Sequence, residues 1–204
     1  MRSGVDGAAL IHAARAGDKD ALNRLLAAYR HYLRILAAAG IGNALQAKAD
    51  ASDLAQETLL DASQHFGDFR GETSREFAAW LRKILARNLA ELGRRYLGTG
   101  ARRVQRERSL EQMLEDSSIA LARLGQKREE SPIDRAIRDE RAAFLADLLS
   151  NLKEDHRRVI VLRDLEQLPW EAVGTRMGRS AEAARLLWVR ALQALGPHLE
   201  GRQL

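Results

Sequence analysis

Apolar residues recur along most of this chain at intervals of three and four, the spacing that lays a continuous stripe on one side of a helix. From Ala8 to Ala39 that rhythm is interrupted once, at Ala16-Gly17-Asp18, where glycine closes one helix and Asp18 caps the next; two helices are predicted. A break follows from Gly40 to Ala49. Asp50 and Ser52 are then candidate caps for a helix through DASDLAQETLLDASQHF, with Ala55, Leu59, Ala62 and Phe66 on its apolar side. A turn, GDFRGETS, leads into the longest periodic run, REFAAWLRKILARNLAELGRRY, in which Phe77, Trp80, Leu81, Ile84, Leu85, Asn88, Leu89 and Leu92 share a broad face.

Between Gly98 and Pro132 the pattern weakens into a basic stretch, a faintly helical EQMLEDSSIALARLG and a charged breaker, QKREESP. This segment reads as a linker with little apolar surface to bury, and hence mobile. Two further helical stretches, IDRAIRDERAAFLADLLSNL and EDHRRVIVLRDLEQ, precede LPWEAVGTRMGRSAEAARLLWVRALQAL. The expected architecture is all-α: a helical domain over 1–97, a flexible linker over 98–134 and a second small helical domain over 135–204.

The last of these segments has the register of a helix-turn-helix. Gly178 falls where the tight turn needs a positive φ, and the small Gly174, four residues earlier, permits a close helix crossing. Val173, Met177, Ala184 and Leu187 supply a small core. Ser180 caps the second helix, whose Ala181, Glu182, Ala183 and Arg185 would face base edges or phosphates in a major groove. The alternative is an ordinary helical hairpin, which any helical bundle contains; the turn glycine, crossing glycine and serine cap at these offsets favour the helix-turn-helix. Trp188 lies one helical turn from Ala184 and Leu192 and is expected in the core rather than against a base.

Composition narrows the function. Of 204 residues, 33 are Lys or Arg and 28 Asp or Glu, a formal charge of +5 that favours polyanions in general without choosing one. The local distribution says more. Between Asp50 and Glu72 six carboxylates face Arg70 alone; between Arg75 and Arg108 ten Arg or Lys face three Glu. Consecutive helices of opposite sign suit two different partners, a basic protein surface and a phosphate backbone. There is no cysteine, no apolar signal core at the N-terminus and no stretch long enough to span a bilayer, and a cytoplasmic protein is expected.

With those features in place, the chain resembles the extracytoplasmic-function (ECF) sigma factors. DASDLAQETLLDASQHFGDFRGE is similar to the family's acidic D-x-x-Q-E helix, which docks on the clamp coiled coil of the largest RNA polymerase subunit; the resemblance implies core binding by Asp53, Gln56 and Glu57. FAAWLRKILARNLAELGRR resembles the helix that contacts the melted promoter element, implying Arg87, Asn88, Arg94 and Arg95 as contacts, with the turn Asp68–Ser74 capturing an unstacked base. The C-terminal segment resembles the domain that reads the upstream element. Leu187 and Leu192 stand where many members carry arginine, and Ala183-Ala184 replaces a frequent Thr-Val pair, leaving Arg185 and Arg190 as the main basic candidates. An anti-sigma protein is a further partner the resemblance suggests.

Two other readings fit parts of the pattern. Asp53, Glu57, Asp61 and His65 share one helical stripe that could line a metal site, but carboxylate-bridged metal bundles need a Glu-x-x-His pair on each of two helices, and none is present. With no phosphate loop, nucleophile motif or clustered histidines either, neither enzymatic activity nor a cofactor is expected. A stand-alone helix-turn-helix regulator would account for the C-terminal half equally well. It would not account for an exposed acidic helix beside an exposed basic one.

Overall fold

The computed structural model describes residues 7–45, 49–97, 103–124 and 138–200, and among these every regular element is helical. In chain order they are α1 (Gly7–Arg15), α2 (Lys19–Ala28), α3 (Arg30–Leu45), α4 (Ala51–Gln64), a single 3-10 turn (Phe66–Asp68), α5 (Ser74–Leu97), α6 (Arg103–Arg123), α7 (Arg138–Ser150), α8 (Glu154–Ile160), α9 (Trp170–Met177) and α10 (Ala181–Glu200). A five-residue π-helical stretch, Val161–Leu165, continues α8 and closes with the Glu166 N–H on the Val161 carbonyl.

The helix starts follow local chemistry. Gly17 takes φ 98°, and the Asp18 carboxylate accepts the N–H groups of Asp20 and Ala21, both at 2.9 Å, ending α1 and opening α2. Of the two candidates before α4, Asp50 is the cap, accepting the Ser52 N–H at 2.6 Å. The region 8–39 differs from expectation: it holds parts of three helices, because the chain turns at Tyr29 (φ −97°, ψ 0°) between α2 and α3. That turn aims the Tyr29 ring at Tyr32 and Phe77, 5.8 and 5.2 Å away, and its hydroxyl donates to the Ser74 carbonyl. Apolar spacing runs on unbroken through the turn, so periodicity does not reveal it.

Gly40 is likewise not a break. Helix α3 runs through it to Leu45, and a Cβ at Gly40 would lie 2.6 Å from a methyl of Leu89. The glycine lets α3 cross α5 closely. Around α5, the inward side chains of α3, α4 and α6 form a shared core in which Tyr32, Leu33, Leu36, Phe77, Leu81 and Leu85 have no exposed surface.

The segment 98–134 departs most from the sequence reading. Residues 103–123 form α6, which packs along α5 and α7 and buries Leu114, Leu121 and Ala122, with Leu124 buried in the turn that follows. The stripe reads as weak because Ser117 and Ser118, at 2 % and 0 % exposure, hold two of its inward positions. Ser118 is inward for a polar reason: it accepts the Tyr32 hydroxyl at 3.0 Å. The Arg82 guanidinium donates to Tyr32 and Asp139, each at 2.6 Å, and pairs with Glu115 at 2.5 Å. Four helices thus meet at one satisfied buried network. Burial pushes the Tyr32 hydroxyl up to about 12, against the opposing pull of Arg82.

Through α7 the C-terminal half joins the same core. Ala142, Leu145, Ala146 and Leu149 are buried as α7 packs on α3, α5 and α6, and Val161, Leu162 and Leu165 continue the contact. His31 on α3 and Asp147 on α7 meet at the rim, 2.7 Å apart.

Candidate nucleic-acid interface

Helix α4 turns Leu54, Ala55, Thr58 and Ala62 inward, so the i+3 and i+4 geometry sends Asp53, Gln56 and Glu57 outward, and all three are exposed. Thr58 is kept inside by donating its hydroxyl to the Leu54 carbonyl at 2.8 Å. One turn beyond Glu57, Leu60 is 57 % exposed. Sequence reasoning passed over Leu60; its signal was an apolar residue out of phase with the Ala55-Leu59-Ala62 stripe.

Asp61 looks the other way, toward α5. It accepts from Arg87 at 3.2 Å and from the Asn88 amide at 3.0 Å, which joins the acidic helix to the basic one. Asn88 is therefore buried, not presented as a contact surface: its amide fills the α4–α5 interface and also reaches Thr58. Arg82, of the basic run, also lies inside, its charge compensated within the buried network. Arg87 and Arg95 are exposed and Arg94 is half-buried. Arg94 pairs with Glu91 and Glu107 at 4.0 and 3.8 Å, and Arg95 with Glu91 at 3.4 Å. Such exposed pairs hold only about 0–1 kcal/mol each, little enough for a phosphate to displace.

The turn into α5 is built by a reciprocal cap. The Glu76 carboxylate accepts the N–H groups of Glu72 and Thr73 and the Thr73 hydroxyl, while the Glu76 N–H donates back to that hydroxyl at 3.2 Å. The Thr73-x-x-Glu76 spacing is the signature of this cap in the sequence. These donors hold the Glu76 carboxyl below its usual range. Arg15 of α1 ties down the other side of the turn, donating to the Gly71 carbonyl at 2.6 Å.

Helices α9 and α10 meet as the sequence predicts. Gly178 has φ 64° and ψ 34°, its N–H reaching the Thr175 carbonyl, and the Arg179 N–H closes on Gly174 at 2.9 Å. A Cβ on Gly174 would fall 2.8 Å from the Arg179 carbonyl oxygen, so the close crossing requires glycine. Ser180 accepts the Ala183 N–H at 3.1 Å and opens α10. Val173 and Ala184 are fully buried between the helices, with Met177 and Leu187 packed at their edge. On the outer side Glu182, Arg185 and Arg190 are exposed; Ala181 and Ala183 are half-covered.

Trp188 takes an intermediate place. Its ring is half-buried against Trp170, 5.7 Å away edge-to-face, and its indole N–H donates to Asp164 at 2.7 Å. Burial pushes the Asp164 carboxyl up, and the indole bond and Arg163 partly offset this. Arg163 and Arg185 lie over the Trp170 ring at 4.8 and 5.5 Å. The second of these contacts orients the Arg185 guanidinium.

Residues 22–102 match the family Sigma-70 region 2, and residues 148–195 match Sigma-70, region 4. Across nearly its whole length the chain is similar to curated proteins. It is 30% identical over 189 residues to the ECF RNA polymerase sigma factor ShbA of Streptomyces griseus, covering 92% of each chain. It is 29% identical over 191 residues to the RNA polymerase sigma-H factor of Pseudomonas aeruginosa, covering 94% of this chain and 92% of that one. With the ECF RNA polymerase sigma-E factor of Haemophilus influenzae it shares 29% identity over 165 residues, 81% of this chain and 80% of the other. No described helix is long and apolar enough to cross a membrane.

Proposed function

The chain belongs to the ECF sigma factors and directs RNA polymerase to promoters, and from that premise we infer how its surfaces divide the work. Asp53, Gln56 and Glu57 dock on the clamp coiled coil of the core enzyme, with Leu60 as the apolar part of the same contact. Arg87, Arg94 and Arg95 meet the backbone of the opened promoter element, and the Asp68–Ser74 turn receives a base from it. Asn88 acts as a positioning residue, fixing Asp61 and through it Arg87. The unit 135–204 reads the upstream element with Ser180, Ala181, Glu182, Ala183, Arg185 and Arg190, while the unit 1–97 serves core and melted DNA.

The carrying observation is electrostatic. An exposed acidic side on α4 lies beside the exposed arginines of α5, the two helices joined through Asp61 and Arg87, which offers one surface to a basic protein and another to a polyanion. A stand-alone regulator has no use for that pairing. The role is positional: polymerase supplies the chemistry, and captured bases offset part of the cost of melting. An anti-sigma protein would act by covering these same exposed faces, in the cytoplasm where polymerase works.

The test is reconstitution. The purified chain with core polymerase should start run-off transcripts at a defined promoter selected from random DNA. The double variant Asp53→Lys, Glu57→Lys should lose core affinity with its circular dichroism unchanged. Unaltered core binding by that variant would remove α4 from the interface.

A further inference from the structure

The solvent side of α10 has an unusual composition for a helix that enters a groove. With successive residues turned by about 100°, Glu182, Leu186, Val189 and Gln193 run along its centre, opposite the buried Ala184, Ala191 and Leu195. Leu186 is 52 % exposed and Val189 40 %, and the exposed Arg185 and Arg190 flank them on either side. The mid-helix positions aimed at a groove floor therefore carry no hydrogen-bonding group, and the cations stand at the walls.

Among the groups that bases show in the major groove, the thymine 5-methyl is the one apolar substituent; apart from the small cytosine C5–H, the others are donors or acceptors. A leucine pressed on a guanine or cytosine edge would strip water from polar atoms without replacing it, an unfavourable exchange. Against thymine it buries methyl on methyl. Cations on both flanks match phosphates on the two groove walls, which makes duplex DNA the occupant that fits the charge as well as the apolar strip.

We propose that Leu186 and Val189 select thymine in the upstream promoter element by contact with its 5-methyl group, with Arg185 and Arg190 holding the adjoining phosphates. This rests on the assignment of α9 and α10 to the upstream element. It gives the chain a specificity of its own: Leu186 and Val189 recognise by shape and apolar contact, and polar discrimination in this helix falls to its first turn, where Glu182 can accept from a cytosine amino group.

Deoxyuridine removes only the methyl group and leaves pairing intact, so it tests the contact directly. Holoenzyme reconstituted with the full chain would be titrated against the selected promoter, and against copies in which each upstream thymine in turn is deoxyuridine. At one or two positions we expect affinity to fall about fourfold, the worth of one buried methyl. Leu186→Ala should bind the thymine promoter more weakly and lose the uridine effect at one position, with Val189→Ala doing the same at its neighbour. Both side chains are exposed and alanine favours helix, so folding is not at stake.

If a defined upstream element is protected but no uridine substitution changes affinity, thymine recognition is wrong and the assignment of α10 stands. If Leu186→Ala lowers core affinity without touching DNA affinity, the strip is a protein contact and the proposal fails. If no upstream element is protected at all, the assignment of α9 and α10 fails with it.

Discussion

A guanidinium nitrogen of Arg82 on α5 lies 2.6 Å from a carboxylate oxygen of Asp139 on α7, and both side chains are almost wholly shielded from water. The contact ties a helix of the N-terminal half to the first described helix of the C-terminal half. A buried cation that loses its partner costs more than the pair contributes, because its hydration is not restored. We expect Asp139→Ala to destabilise the chain by about 3 kcal/mol, Glu115 retaining part of the compensation. Arg82→Met with Asp139→Leu should recover most of that loss. Urea unfolding of the three proteins measures both.

The turn before α5 should be sensitive to acid. Glu76 has its pKa lowered by the Glu72 and Thr73 donors, so its caps are fully formed above the ordinary glutamate pKa of 4.5 and are lost as pH falls through the lower folded value. The amide resonances of Glu72 and Thr73, followed by NMR, should titrate together with a midpoint below 4.5. In Glu76→Gln that step should vanish.

Asp164 has the opposite sign. Desolvation raises its pKa, so its contribution is complete below the unfolded carboxylate range and declines as pH rises through the folded value. Asp164→Asn retains an acceptor for the Trp188 indole while removing the charge. Its melting temperature relative to the parent should therefore rise between mildly acidic and neutral pH.

Two glycines of the helix-turn-helix should fail differently. A Cβ at Gly178 meets nothing within 4 Å, so Gly178→Ala carries only the left-handed backbone cost of about 1–2 kcal/mol. Gly174→Ala forces a methyl onto the Arg179 carbonyl and the Ala181 amide, so the helices must part. Upstream DNA binding should survive the first substitution at low temperature and be lost in the second, as footprinting would record.

Much of this was legible in the chain. Asp18, Asp50, Gly174, Gly178 and Ser180 act as their types and offsets imply, because caps and turns are settled by neighbours within a few residues. Exposure of Asp53, Gln56 and Glu57 followed from the apolar phase of α4. What escaped was decided at long range. Arg82 read as a surface cation and is buried because Tyr32 and Asp139, distant in sequence, satisfy it; Asn88, which the apolar spacing already set on the inward face and the resemblance made a DNA contact, is held inside by Asp61. Helix α6 was hidden because its inward serines serve a tyrosine on another helix, and Gly40 looked like a terminator because the Leu89 methyl it accommodates is 49 positions away.

The seat of α7 sets a chemical condition on any event that draws the two halves of the chain apart. Lifting it would hydrate Ala142, Leu145, Ala146 and Leu149 and take from the Arg82 guanidinium its buried carboxylate, Asp139. Whatever macromolecule drives the separation must offer aliphatic cover and an anion in the same places, or leave α7 where it is.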